Sequence, residues 1–132
     1  MSPVGNSQAT TRGIRVRVES KYVAERSRPL MNEYFFAYTI EIANQGRETV
    51  QLVSRAWTIT DAEGHVEEVR GPGVVGEQPV LAPGEAFEYT SACPLGTPFG
   101  SMRGTYQMVT EGGDHFDIEI APFALHEPYT VH

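Results

Sequence analysis

Hydrophobic and polar residues alternate with a period of two along most of this 132-residue chain. Such alternation is typical of strands that turn one face towards a core and the other towards solvent. The clearest run, residues 34–43, places Tyr34, Phe36, Tyr38 and two isoleucines on a single face. The alternating runs predict seven strands, which cover residues 14–24, 33–44, 49–60, 65–70, 85–93, 103–110 and 115–122.

The distribution of turn-forming residues also indicates an all-β fold. The 13 glycines and 9 prolines recur along the chain and leave few windows for a helix longer than three turns. Seven short antiparallel strands with frequent turns favour a two-sheet sandwich of immunoglobulin or fibronectin type III kind, with an open barrel as the alternative. Trp57 in the third strand lies where such a sandwich buries an aromatic side chain.

The chain is predicted to be a single domain over residues 13–132, preceded by a flexible tail. Residues 1–12 are polar and small and show no alternation, which is typical of a mobile terminus. The last stretch, residues 122–132, is interrupted by prolines. Its apolar residues indicate that it packs back on the sandwich.

Charge and composition exclude several classes of function. The formal charge is −7, and one lysine and nine scattered arginines supply no basic cluster, which argues against general nucleic-acid binding. No run approaches the ~18 apolar residues of a membrane-spanning helix. The N-terminus also lacks the apolar core of a signal peptide. A cytoplasmic protein without membrane association is expected, and its one cysteine forms no intrachain disulfide.

No set of residues in the sequence resembles a catalytic centre. The four histidines do not have the spacing of a metal-binding motif, and His65 and His115 are expected to be exposed after hairpin turns. Cys93 has no neighbouring base or cation to activate it, so it is predicted to be a small, partly buried apolar residue. We predict no catalytic residue, no metal ligand and no cofactor. A metal site built from distant histidines and carboxylates remains an alternative.

The most conspicuous motif is Gly71-Pro72-Gly73-Val74-Val75-Gly76, which matches G-x-G-x-x-G. A strand precedes it, but Pro79 and Pro83 prevent the helix that a dinucleotide-binding fold requires, so that interpretation is rejected. A glycine-rich turn that crosses between the sheets is one remaining interpretation. Another is an anion-binding nest of backbone amides, with Arg70, Gly71, Gly73 and Gly76 as ligand-binding residues. Contact with a protein is the third.

An aromatic-rich run, residues 31–38, is the second notable feature. Four of its eight residues are aromatic, and one face of the strand must pack into the core. Phe35 points to the opposite face. Either both faces are buried, or Tyr34 and Phe35 form part of an apolar patch that recognises a partner.

Several irregular motifs resemble the ApaG family, small bacterial proteins whose domain also occurs at the C-terminus of some eukaryotic proteins. The motifs occupy residues 32–40, 54–61, 69–79, 81–91 and 102–108, and the resemblance extends over residues 12–132. Their order along the chain makes the resemblance specific. Ala56 stands where members of the family often have a bulkier residue, a difference that concerns local packing.

The resemblance implies a fibronectin type III-like sandwich and no established catalytic activity. Family genes often lie near those for a diadenosine tetraphosphate hydrolase and a ribosomal-RNA dimethyltransferase, and they are linked genetically to cobalt tolerance and magnesium efflux. In eukaryotes the domain occurs in an F-box protein and in a polymerase-delta-interacting protein, which favours protein recognition.

We therefore predict a non-enzymatic binding module with an unidentified protein partner, present as a monomer or weak homodimer. The alternative is a nucleotide, pyrophosphate or divalent-metal site at the loop Gly71–Gly76.

Overall fold

The computed structural model describes residues 5–128, which form two antiparallel sheets. The strands are β1 (Asn6–Thr11), β2 (Ile14–Tyr22), β3 (Tyr34–Asn44), β4 (Val50–Asp61), β5 (Val66–Pro72), β6 (Val80–Leu81), β7 (Ala86–Leu95), β8 (Phe99–Thr110) and β9 (His115–His126). The first sheet has the strand order β1-β2-β3-β7. The second has the order β5-β4-β8-β9, and the short β6 pairs with the start of β4. Two single-turn 3-10 helices, Ala24–Arg26 and Pro29–Met31, connect β2 to β3.

The structure confirms the predicted sandwich of immunoglobulin or fibronectin type III-like class, and residues 5–128 contain nine strands where the alternating runs predict seven. The inward positions of the alternating runs meet between the two sheets. Trp57 is buried there as predicted, with its ring edge-on to those of Tyr38, Tyr106 and Phe123. Each fully buried large side chain of this kind contributes roughly 1.5–3 kcal/mol through the area it removes from water.

The prediction of a flexible tail over residues 1–12 is wrong for Asn6–Thr11. These residues form β1, which pairs with β2 at the edge of the first sheet. The Ser7 hydroxyl donates to the Ala121 carbonyl at 2.8 Å, and the amide of Glu119 donates to the Thr11 hydroxyl at 3.1 Å. Strand β1 thereby joins β9 of the second sheet and closes one side of the sandwich. Residues 1–4 lie outside the described part of the chain.

The C-terminal stretch packs on the sandwich as predicted, because β9 continues to His126. Phe123 and Leu125 are fully buried. The register of β9 shifts opposite Arg103, where two residues of β9 face one of β8, and Pro122 lies at this bulge. Proline lacks the amide hydrogen that a regular ladder needs. Residues 129–132 lie outside the described range.

Within residues 5–128, no helix is long and apolar enough to cross a membrane.

Candidate functional site

The glycine motif forms a tight reversal at the edge of the second sheet. Val74 and Glu77 exchange two backbone hydrogen bonds of 2.8 Å, so Val75 and Gly76 are the two central residues of the turn. Both central residues have positive φ, 42° and 82°, as in a type I′ turn. Val74 is 1% exposed and anchors the turn in the core.

Each glycine of the motif has a structural reason within the protein. Gly73 has φ +59°, and a Cβ on it would collide with the Glu77 carbonyl. Gly71 leaves space for the Arg55 guanidinium, which would lie 3.1 Å from a Cβ at that position. Gly76 supplies the second positive φ of the turn.

The loop also uses its own polar groups internally. The amide of Gly73 donates to the Val53 carbonyl at 2.8 Å, and the amides of Val74 and Glu77 form the turn. Arg55 donates to the carbonyls of Pro72 and Gly73 at 3.0 and 2.9 Å. An anion-binding nest needs free amides that converge on the ligand. These bonds favour the interpretation of the motif as architecture.

Val75 is strained and exposed. A β-branched residue in the left-handed region is a genuine outlier, yet Val75 has φ 42° while 56% of its surface is accessible. Replacing a residue of this kind relieves about 1–2 kcal/mol of steric cost when the new side chain tolerates left-handed backbone.

We expect Val75→Asn to raise the free energy of unfolding by about 1 kcal/mol, because asparagine tolerates this conformation and little apolar burial is lost. Urea denaturation measures the change. Val80→Asn is the matched control, since Val80 is 58% exposed and lies in β6 without positive φ. An equal or lower stability of Val75→Asn would show that the turn carries no relievable strain.

The predicted ligand-binding residues do not all come together. Arg70 pairs with Ala56 of β4. Its side chain lies on the outer face of the second sheet, where it lines a hollow with Arg103 and Thr105 and without the loop glycines. The Arg70 side chain therefore lies beside a hollow that the loop glycines do not line.

The aromatic run has one buried face and one half-buried face. Phe36 and Tyr38 lie in the core, whereas Tyr34 and Phe35 are half-buried. The Arg26 guanidinium lies 4.5 Å from the centre of the Phe35 ring and covers it. The Phe35 side chain therefore supports the segment that connects β2 and β3.

The histidines and the cysteine show no metal or nucleophilic centre in the described range. Residues 5–128 contain no group of three or more histidine, cysteine or acidic side chains that could hold a metal ion. His65 and His115 are exposed, as predicted, and His132 lies outside these residues. Cys93 is buried, and burial raises the pKa of its thiol to about 11, which keeps it protonated at neutral pH.

Three tyrosine hydroxyls lie in the interior near Arg55. The hydroxyls of Tyr89 and Tyr106 hydrogen-bond to each other. Burial raises the pKa of both and of Tyr38 above the ordinary value of 10.0, and the Arg55 guanidinium offsets this only in part. These phenols are neutral at pH 7, so none of them is a base there.

Comparison with known proteins identifies the family. The model of the ApaG domain matches residues 24–110. The protein named ApaG in Azorhizobium caulinodans is 57% identical over 122 residues, which are 92% of this chain and 94% of the relative. The chain belongs to the ApaG domain family. The ApaG protein of Caulobacter vibrioides is 58% identical over 121 residues, covering 92% of this chain and 86% of that one.

A solved structure agrees with this membership. The crystal structure of the putative ApaA protein from Bordetella pertussis matches this ApaG-domain chain with a TM-score of 0.85 and 51% identity. The match covers 97% of this chain and 99% of that one. The family resemblance drawn from the sequence motifs is thereby confirmed.

Sequence reasoning missed four residues of this ApaG-domain protein that the structure makes prominent. Arg55 fixes the glycine loop from a strand 16 residues earlier. Arg103 faces the same hollow as Arg70, and only the strand register reveals this. Leu30 and Met31 are exposed on the 3-10 turn before β3. A signal for these two was available, because Pro29-Leu30-Met31-Asn32 interrupts the alternation with two adjacent apolar residues.

Proposed function

We propose that this protein is a non-enzymatic module that recognises a protein partner through the segment between β2 and β3. We call residues 23–33 the projection. The observation that carries the proposal is the exposure of two adjacent large apolar residues at its tip, Leu30 at 102% and Met31 at 63%. Neighbouring exposed apolar side chains of this size are typical of contact sites for other proteins.

The projection is ordered by its own hydrogen bonds. Arg28 and Glu33 exchange two backbone bonds of 2.7 and 3.0 Å across its base. The Ser27 hydroxyl donates to the Val23 carbonyl at 2.8 Å and accepts from the Phe35 amide at 2.9 Å. A contact segment that is already ordered loses less conformational entropy when it binds. This order supports a role in recognition.

Tyr34 and Phe35, which the sequence predicts as contact residues, support the projection in this proposal and do not contact the partner directly. Phe35 lies beneath Arg26 at the base of the projection, and Tyr34 packs against the core. We assign the direct contact to Leu30 and Met31, and we assign Phe35 the role of supporting the projection. Its half-buried ring and the arginine above it resist movement of the tip.

The glycine loop gives less support to the alternative of a nucleotide, pyrophosphate or divalent-metal site. Its amides at Gly73, Val74 and Glu77 are already hydrogen-bonded within the protein. Arg55 of β4, whose guanidinium contacts the loop, is engaged with loop carbonyls. We therefore place recognition at the projection.

A photo-crosslinking amino acid at position 30, in cells of the source organism, tests the proposal. We expect a discrete heavier adduct from position 30 and none from position 66, because Val66 is 60% exposed but lies at the start of β5. Met31→Asp, which places a charge in the contact, is expected to abolish the adduct. An adduct of twice the chain's mass would identify a second copy as the partner.

The proposal fails if positions 30 and 66 give the same adducts, or if Met31→Asp leaves the adduct unchanged. Because Met31 is exposed, this substitution is expected to change stability by less than about 0.5 kcal/mol. A thermal melt of the variant separates loss of contact from loss of fold.

A further inference from the structure

Two arginines on the outer face of the second sheet have no partner within the described residues. Across residues 5–128, the salt bridges involve Arg12, Arg15, Arg17 and His65, and neither Arg70 nor Arg103 is among them. The side chains of these two arginines also make no hydrogen bond there. In a protein of formal charge −7, two unpaired guanidinium groups beside one hollow are an unusual concentration of positive charge.

Strand register brings the two arginines to the same hollow. Arg70 is opposite Ala56, which is opposite Thr105, and Arg103 lies two residues before Thr105 on the same face of β8. Two strand spacings and one two-residue step separate their backbones by about 12 Å, a gap that two long side chains can cover from opposite sides. Both line a hollow of about 350 Å³.

Small residues line the hollow between the two arginines. Ala56 and Thr58 belong to β4, which lies between the strands of Arg70 and Arg103, and Gly104 and Thr105 of β8 lie beside them. Ile120 and Pro122 of β9 add apolar lining. A larger side chain at position 56 would occupy the space between the two arginines. The bulge in β9 opposite Arg103 interrupts the ladder at this point, and bulges often redirect neighbouring side chains.

We infer that this hollow binds the phosphate group of a small hydroxyl-bearing phosphate monoester, such as a sugar phosphate. Two guanidinium groups match the charge and geometry of a phosphate, and the Thr58 and Thr105 hydroxyls can donate to its oxygens. The Glu119 carboxylate also lines the hollow and repels a bare anion. It accepts hydrogen bonds from hydroxyls, so it selects a ligand that carries them.

An NMR titration of the full chain with ribose 5-phosphate at low ionic strength tests the site. We expect saturable shifts of the backbone amides near residues 56–58 and 103–105. Arg70→Gln and Arg103→Gln are each expected to weaken binding about tenfold, since each removes a charge-assisted contact. Arg47→Gln makes the same change of charge in the exposed β3–β4 loop and is expected to leave binding unchanged.

Two further variants separate this site from general charge attraction. Ala56→Met fills the hollow without changing charge and is expected to abolish binding. Inorganic phosphate is expected to bind more weakly than ribose 5-phosphate, and Glu119→Gln is expected to remove the difference. Equal binding of the two ligands by the unmodified protein would overturn the role of Glu119.

The site itself is overturned if the shifts do not saturate, or if Arg47→Gln weakens binding as much as Arg70→Gln does. It is also overturned if Ala56→Met binds as the unmodified protein does, or if the shifts map to residues 73–77. That last result would return the site to the glycine loop.

Discussion

Gly73→Ala is expected to lower the free energy of unfolding by about 3 kcal/mol. The added methyl group is strained at φ +59° and collides with the Glu77 carbonyl, a backbone atom that cannot turn aside. That carbonyl also accepts the hydrogen bond from Val74 that closes the turn. Urea denaturation followed by the fluorescence of buried Trp57 measures the loss.

Gly76→Ala is the matched control for this prediction. Gly76 also has positive φ, at 82°, but no atom lies within 4 Å of a Cβ at that position. Only the backbone strain remains, so the expected loss is about 1 kcal/mol. If the two variants lose the same stability, the close approach of Glu77 carries no cost. A Gly73 variant is consequently a poor probe for ligand binding, since it perturbs the loop whether or not a ligand exists.

Alternation was sufficient to predict most of the sheets. Strands such as β3 have a buried and an outward face along their whole length, so their pattern is visible in any window of the sequence. Predicted strand ends lie within four residues of the observed ones in all seven cases. Turn residues also placed the hairpins correctly, as at Gly64 and Gly113, which have positive φ.

The hydrophobic pattern does not predict strand β1, because hydrogen bonds to distant residues stabilise it rather than an apolar face of its own. Asn6–Thr11 contains no large apolar residue, and hydrogen bonds to β2 and hydroxyl contacts with β9 hold it in place. Such bonds depend on distant partners that no local pattern contains. The two-residue β6 is likewise too short to alternate.

In the candidate site, too, neighbouring residues predict some features, and contacts between distant residues determine the others. The spacing of the glycines is local and was recognised, but the reason for Gly71 is the guanidinium of Arg55, 16 residues earlier. The hollow between Arg70 and Arg103 depends on the pairing of three strands. The residue types of a motif therefore indicate a candidate loop, whereas the strand register determines which side chains lie close to it.

Alkaline unfolding is the second large effect that we expect. Burial raises the pKa of Tyr38, Tyr89 and Tyr106 above 10.0, so the folded protein keeps these phenols neutral when the unfolded chain ionises them. Their stabilisation is complete below about pH 10 and is lost as the pH rises above it. Three such groups approach a slope of about 4 kcal/mol per pH unit. Cys93, with a pKa of about 11, starts to contribute above pH 9.

Urea midpoints from circular dichroism at about pH 8 give the reference stability, and midpoints at about pH 10.5 and about pH 11.5 measure the slope, because the slope nears its limit only once the unfolded chain is largely ionised. The double variant Tyr89→Phe/Tyr106→Phe removes both members of the hydroxyl pair, so it leaves neither hydroxyl without its partner. We expect it to change stability little at about pH 8 and to reduce the slope above about pH 10.5 by about 2.7 kcal/mol per pH unit, the share of two tyrosines.

Tyr34→Phe is the control, since Tyr34 is half-buried at the start of β3 and lies outside the hydroxyl pair. It is expected to keep most of the alkaline slope that the double variant loses. If both variants have the slope of the unmodified protein, other groups drive the alkaline transition, and the interior tyrosines ionise without unfolding the sandwich. That result would mean that water and the Arg55 guanidinium stabilise a phenolate between the sheets, where Trp57 and Tyr106 are buried against each other.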